Sequence, residues 1–120
     1  MASVTLLGFP RDLAAQLGRA LAEESHTVSR LGHARNLRRG AAAGVVFVCG
    51  DTPDFLKTLS AVRKKEPRLP VVVATRLPET KQWLDALEAG AADYCGAPFE
   101  ASQVRWIMNS VLAKPVRQAA

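Results

Sequence analysis

Pro70-Val-Val-Val-Ala-Thr75 constrains this chain more than any other segment. It is a continuous apolar run bounded by a proline and a polar residue, too short for a packed helix and without the alternation of a strand wetted on one face. Such a run is a strand covered on both faces, as in a parallel sheet with helices above and below it. Val45–Cys49 repeats the pattern, and Val4–Leu7 is a shorter version. Thr27-Val28 and Ala92–Cys95 complete five strand candidates.

Helical spacing fills the intervals. Leu13, Leu17 and Leu21 recur at i, i+4, i+8 after Pro10, a residue suited to a helix's first turn. Leu31–Arg39 is assigned a short second helix ending near Gly40. A third opens at Pro53, with Asp51 or Thr52 as its cap and Phe55, Leu59 and Val62 inward. A fourth runs from Pro78 to Ala89 and is closed by Gly90. A fifth covers Ala101–Ala113, with Val104, Met108 and Val111 inward, and Pro115 stops it. The expected architecture is α/β, a flavodoxin-like doubly wound sheet of five parallel strands in the order 2-1-3-4-5 with five helices. Residues 1–120 are read as one domain with a frayed tail from about residue 114.

A second segment adds a motif. Leu87-Glu-Ala-Gly-Ala-Ala-Asp-Tyr-Cys-Gly-Ala-Pro-Phe99, about a dozen residues after Thr75, closes a helix and carries a strand into Ala-Pro-Phe. The two segments together resemble the C-terminal half of a response-regulator receiver domain. The resemblance covers nearly the whole chain and is weaker in the first half. It implies an Asp phosphoacceptor at the end of the third strand and an acidic pair after the first strand holding magnesium. It also implies a Ser or Thr after the fourth strand bonding the phosphoryl group, and a Lys after the fifth pairing with it.

This chain departs from that pattern at most positions. Gly8 and Phe9 stand where the acids belong, and the nearest acid, Asp12, falls within the first helix. Cys49 stands at the acceptor position, because Pro53 then matches the proline of the acceptor loop. Ala97 replaces the Lys, and only Thr75 matches. A thiol does not replace a carboxylate as a magnesium ligand. The expectation is a receiver-like module without Asp phosphorylation, not an enzyme, with no metal and no cofactor. Asp51 is the alternative acceptor, at the expense of the spacing to Pro53. The resemblance also assigns Thr75 and Tyr94 to the switch that couples the site to partner binding. Trp106 lies about 200° around its helix from Val104 and so points outward. With Trp83 and Tyr94 it marks a contact face on the fourth helix, fifth strand and fifth helix, for a signalling partner or a second copy.

Charge leaves another class open. The net charge is +5, and no acid occurs between Ser25 and Gly50. The stretch Arg30-Leu-Gly-His-Ala-Arg-Asn-Leu-Arg-Arg39 is a solvated face or, alternatively, a nucleic-acid-binding patch. Cys49 and Cys95 supply neither a disulfide framework nor a metal cluster and are read as buried, inert thiols. Gly8-Phe-Pro10 has one glycine where a dinucleotide loop needs three. No apolar run approaches the roughly 20 residues of a membrane span, and Met1–Leu7 does not read as a signal peptide, so a cytoplasmic location is expected.

Overall fold

The computed structural model describes residues 2–38 and 44–113. Strands β1 (Ser3–Leu7), β2 (Thr27–Leu31), β3 (Gly44–Cys49), β4 (Val71–Thr75) and β5 (Asp93–Gly96) alternate with helices α1 (Arg11–Glu23), α2 (Phe55–Lys65), α3 (Thr80–Glu88) and α4 (Ala101–Ala113). The strands form one parallel sheet in the order β2-β1-β3-β4-β5. No helix among the described residues is long and apolar enough to cross a membrane.

Every residue of β3 and β4 is buried, which explains their unbroken apolar runs. Val45, Phe47 and Cys49 of β3 and Val72 and Ala74 of β4 face the layer made by α1 and α4. Val46 and Val48 of β3 and Val71 and Val73 of β4 face the layer made by α2 and α3. Leu13, Leu17 and Leu21 of α1 meet Val104, Ile107, Met108 and Val111 of α4 in the first layer. Phe55, Leu59 and Val62 of α2 join Ala86 of α3 in the second. Each fully buried Val, Leu or Phe contributes about 1.5–3 kcal/mol of transfer free energy, so these two layers dominate stability.

The described residues form four α-helices, which corrects the expected five. The anticipated helix over Leu31–Arg39 is a single 3-10 turn at Ala34–Asn36, and β2 extends to Leu31, beyond the expected Thr27-Val28. The reason is spacing. Leu31, Ala34 and Leu37 are the apolar residues of this segment that pack on the core, and they repeat every three residues. That period matches a 3-10 turn, and Gly32 further disfavours an α-helix. Arg39 and Gly40, and Pro115 with the rest of the tail, lie outside the described residues. The expected fourth and fifth helices are therefore α3 and α4.

Gly90 closes α3 as its sequence position predicts. It adopts φ +102°, the Gly90 N–H donates to the Leu87 carbonyl and the Ala91 N–H to the Ala86 carbonyl, the two bonds of a Schellman cap. The Ala97–Pro98 peptide bond is cis.

His26 ties the start of β1 to the turn before β2, its Nδ1 accepting the Ala2 N–H at 3.1 Å. Desolvation by burial holds the imidazole below its ordinary 6.5, with the positive N-terminus adding to the effect. A depressed folded-state pKa makes the unfolded chain bind the proton first. That stability is therefore complete above 6.5 and is lost as pH falls through the folded-state value. Thermal unfolding followed from about pH 7.5 to about pH 5 should show a declining midpoint. His26→Asn, which keeps an acceptor at this place without a titrating ring, should flatten that decline. An unchanged slope in the variant would remove His26 as its source.

Candidate functional site

The carboxyl ends of the strands form a rim where polar side chains converge. In a parallel sheet this rim is the ordinary place for a site, since the loops leave the core there. Gly8, Cys49, Thr75 and Ala97 all arrive at it on the expected strands. Thr75 is the one buried polar residue of the described core, at 2% exposure. A buried hydroxyl needs a partner, and it donates to Asp51 Oδ1 at 2.6 Å. The same oxygen accepts the Arg76 backbone N–H at 2.9 Å. Arg76 Nε approaches Asp51 Oδ2 at 3.4 Å, and Arg76 Nη1 pairs with Asp12 Oδ2 at 2.7 Å. One guanidinium thus bridges the first turn of α1 to the loop after β3. This bridge holds the Asp12 carboxyl below its usual range, chiefly through the Arg76 hydrogen bond.

A second chain of bonds leaves the same loop. Gln82 Nε2 donates to the Gly50 carbonyl at 2.6 Å. The Tyr94 hydroxyl donates to Gln82 Oε1 and accepts the Glu79 N–H at 3.1 Å. Gly50 makes this approach possible. A Cβ there would lie 2.9 Å from Val73 Cγ1 and 3.2 Å from Gln82 Oε1. The loop after β3, the start of α3 and β5 are thereby joined.

These contacts revise several sequence assignments. Asp51 does not cap the following helix: α2 begins at Phe55 with Asp54 at its N-cap, and the Asp51 carboxylate is engaged across the rim. Thr52 does not cap it either, because its hydroxyl turns back to the Cys49 carbonyl at 3.4 Å. Cys49 is 1% exposed, and burial pushes its thiol up. Cys95 is pushed up to about 12 for the same reason. Both thiols are protonated at neutral pH, and their sulfurs are poor nucleophiles. Gly8 and Phe9 bring no carboxylate to the rim, and Phe9 is buried. Ala97 brings no cation.

The sequence places Asp12 within the first helix, but nothing in its spacing pairs it with Arg76. Gln82 was missed altogether. Its signal was available: it lies four residues before the buried Ala86, on the same helix face, so a polar group was aimed at the sheet. Trp106 is 69% exposed, as its helical angle predicts, and Trp83 is 44% exposed. Leu84 and Leu87 of α3 are exposed as well, and only Ala86 of that helix is buried. The basic stretch divides. Arg30 Nη2 donates to the Phe9 carbonyl at 3.1 Å, while Arg35 lies beside the cationic end of α2, its carbonyl accepting from Lys65 Nζ at 3.2 Å.

Magnesium, implied by the receiver resemblance, finds no matching donors. Asp12 and Asp51 both face the Arg76 guanidinium, and the described residues contain no group of three or more His, Cys, Asp or Glu side chains that could hold a metal. A cation already occupies the space between the two carboxylates, which opposes a second.

No family model matches the chain. It is 30% identical over 125 residues to the DNA-binding transcriptional regulator NtrC of Rhizobium meliloti (strain 1021), covering 98% of this chain and 26% of that protein. The chain therefore spans about a quarter of this curated relative's length. Among solved structures, NtrX from Brucella abortus superposes with a TM-score of 0.78 at 22% identity, covering 93% of this chain and 27% of that one. The BeF3-activated DrrB receiver domain superposes with a TM-score of 0.75 at 19% identity, covering 95% and 99%.

Proposed function

From the premise that this chain has the receiver-domain fold of two-component response regulators, we propose that it is an atypical receiver-like signalling module that acts by protein contact without Asp phosphorylation. The observation that carries this reading is the occupancy of Asp51. It is the carboxylate nearest the acceptor position: Oδ1 accepts both the Thr75 hydroxyl and the Arg76 N–H, and Oδ2 faces the Arg76 guanidinium at 3.4 Å. A carboxylate that takes a phosphoryl group must present a free oxygen to the donor. It must also have fixed positive charge and a metal around the transferring group. Here the single guanidinium beside Asp51 also pairs with Asp12, and Ala97 supplies no charge. Cys49, at the acceptor position itself, is a buried and protonated thiol.

The contact face in this reading is α3, β5 and α4, with Trp83, Tyr94 and Trp106 as its aromatic residues. Tyr94 is bonded through Gln82 to the Gly50 loop, so the rim and this face share one polar network. Thr75 and Tyr94 then serve as fixed positions of a switch that the internal carboxylate holds in one arrangement. A signalling partner or a second copy of the chain would dock there.

Incubation with acetyl phosphate and magnesium, followed by intact-mass measurement, tests the chemistry. No stoichiometric phosphoryl adduct should form. An adduct that disappears in Asp51→Asn would establish the alternative, a phosphoacceptor using Asp51.

A further inference from the structure

The β5 edge of the molecule has a charge opposite to that of the chain. The protein carries +5 overall, yet an open groove of about 360 Å3 beside β5 is lined by Pro78, Glu79, Thr80, Trp83 and Tyr94. Glu79, Glu88 and Glu100 are exposed and form no ion pair among the described residues. The cations at this end have partners of their own, including Arg63 beside Gly90, whose Nη1 donates to the Pro67 carbonyl at 3.3 Å. Lys81 pairs with Asp85 at 2.9 Å, Arg105 with Glu24 at 2.8 Å, and Arg76 with Asp12 and Asp51. Beside these acids, Leu77, Trp83, Leu84 and Leu87 are exposed. Glu79 lines the groove, Glu88 ends α3 and Glu100 precedes α4, so the face around Trp83 combines exposed apolar side chains with carboxylates that form no ion pair among the described residues.

This combination selects among occupants. An added β-strand is opposed, because the Tyr94 N–H on the edge strand donates to Asp93 Oδ1 at 2.7 Å and is closed to a neighbour. A symmetric second copy would set this anionic face against itself. The basic face of a second copy fits no better. None of the exposed large apolar residues lies in β2, the 3-10 turn or the last turn of α2, where Arg35, Lys64 and Lys65 sit, so Trp83 would meet no apolar partner. We infer that the groove takes an amphipathic helix of a partner protein whose apolar anchors are flanked by Lys or Arg. This rests on the reading of α3, β5 and α4 as the contact face and specifies its partner. The apolar side of such a helix covers Trp83 and the leucines, and its cations meet the unpaired glutamates.

The probe is a fluorescently labelled helical peptide of Leu and Lys with an amphipathic repeat, set against the same peptide with Glu for Lys. The whole chain is titrated and anisotropy recorded. The net charge sharpens the comparison, since a non-specific field would draw the anionic peptide to a +5 protein. The Leu/Lys peptide should bind and the Leu/Glu peptide should not. Trp83→Ala and Glu79→Lys with Glu88→Lys should each weaken binding by about tenfold or more, with far-UV circular dichroism unchanged. Raising the salt from about 0.05 M to about 0.5 M should weaken it too. Equal or tighter binding of the Leu/Glu peptide, insensitivity to Trp83→Ala, or no binding of the Leu/Lys peptide at about 1 mM overturns the inference. Sedimentation separates it from the broader reading. A dimer abolished by Trp83→Ala keeps the contact face and removes this partner class. Association that ignores both Trp83→Ala and Trp106→Ala removes the contact face itself.

Discussion

Phe47→Ala should destabilise the domain by about 3–5 kcal/mol, the range for emptying a buried aromatic site. Phe47 is fully buried in β3, the central strand, and faces the layer of α1 and α4. The cavity cannot collapse easily, because the cluster Phe47 shares with Leu13, Leu17 and Met108 is held by two helices and the sheet. Total stability of a domain this size is about 5–15 kcal/mol, so the loss removes a large fraction of it. Urea unfolding monitored by far-UV circular dichroism measures the change. Tryptophan emission is a poor reporter here, since Trp83 and Trp106 are both solvent-exposed in the folded state. Trp106→Ala supplies the contrast. At 69% exposure it should shift stability by less than about 0.5 kcal/mol while weakening association through α4. A Trp106→Ala variant that unfolds like Phe47→Ala would make Trp106 a core residue and dismiss it as a contact.

Asp51→Ala should cost about 2–3 kcal/mol, because it removes the acceptor of two hydrogen bonds at once. The Thr75 hydroxyl loses its partner while 2% exposed, and the Arg76 N–H loses the same oxygen. Asp51→Asn keeps an oxygen at this place and should cost about half as much. The Arg76–Asp12 pair does not rescue the alanine variant, since both side chains are largely exposed and such pairs contribute little. Amide hydrogen exchange gives the local readout. Protection of Gly50 and Arg76 should fall together, and through Gln82 and Tyr94 the start of α3 should loosen as well. Wild-type stability with unchanged exchange in Asp51→Ala would mean that the rim network holds nothing in place, and the reading of Asp51 as an internal substitute for site occupancy would fall with it.

The tyrosine and the threonine shared by the rim and the β5 face give the proposed function its physical content. The loop that carries Asp51 reaches Tyr94 through a chain of bonds: Gly50 carbonyl to Gln82, Gln82 to Tyr94, Tyr94 to the Glu79 amide. A module with this network needs no added group to hold α3. Under the proposed function, its regulation lies in partner supply, or in anything that displaces Arg76 from the two carboxylates.

The parallel sheet and the inward faces of α1, α2 and α4 were legible from the chain alone, while the strand order β2-β1-β3-β4-β5 followed from the fold class those elements implied. Those features rest on burial, and burial imprints itself as runs and periods of apolar residues that any reader can count. The second helix was misjudged because three apolar residues spaced by three leave no 3.6-residue stripe, and only contact with the core reveals that Leu31, Ala34 and Leu37 suffice for one 3-10 turn. That Gly8, Cys49 and Ala97 carry no carboxylate or ammonium group was plain from the sequence too. What filled the site was not legible. Asp12, Asp51 and Arg76 are separated by up to 64 residues, and nothing in the spacing of polar residues says which ones the strand ends will bring together. Register and loop direction decided that Arg76 would lie between two carboxylates, and that the buried Thr75 hydroxyl would find Asp51. Sequence patterns record what must be hidden from water, while the pairing of groups left at the rim is a matter of position, and position is set by the assembled sheet.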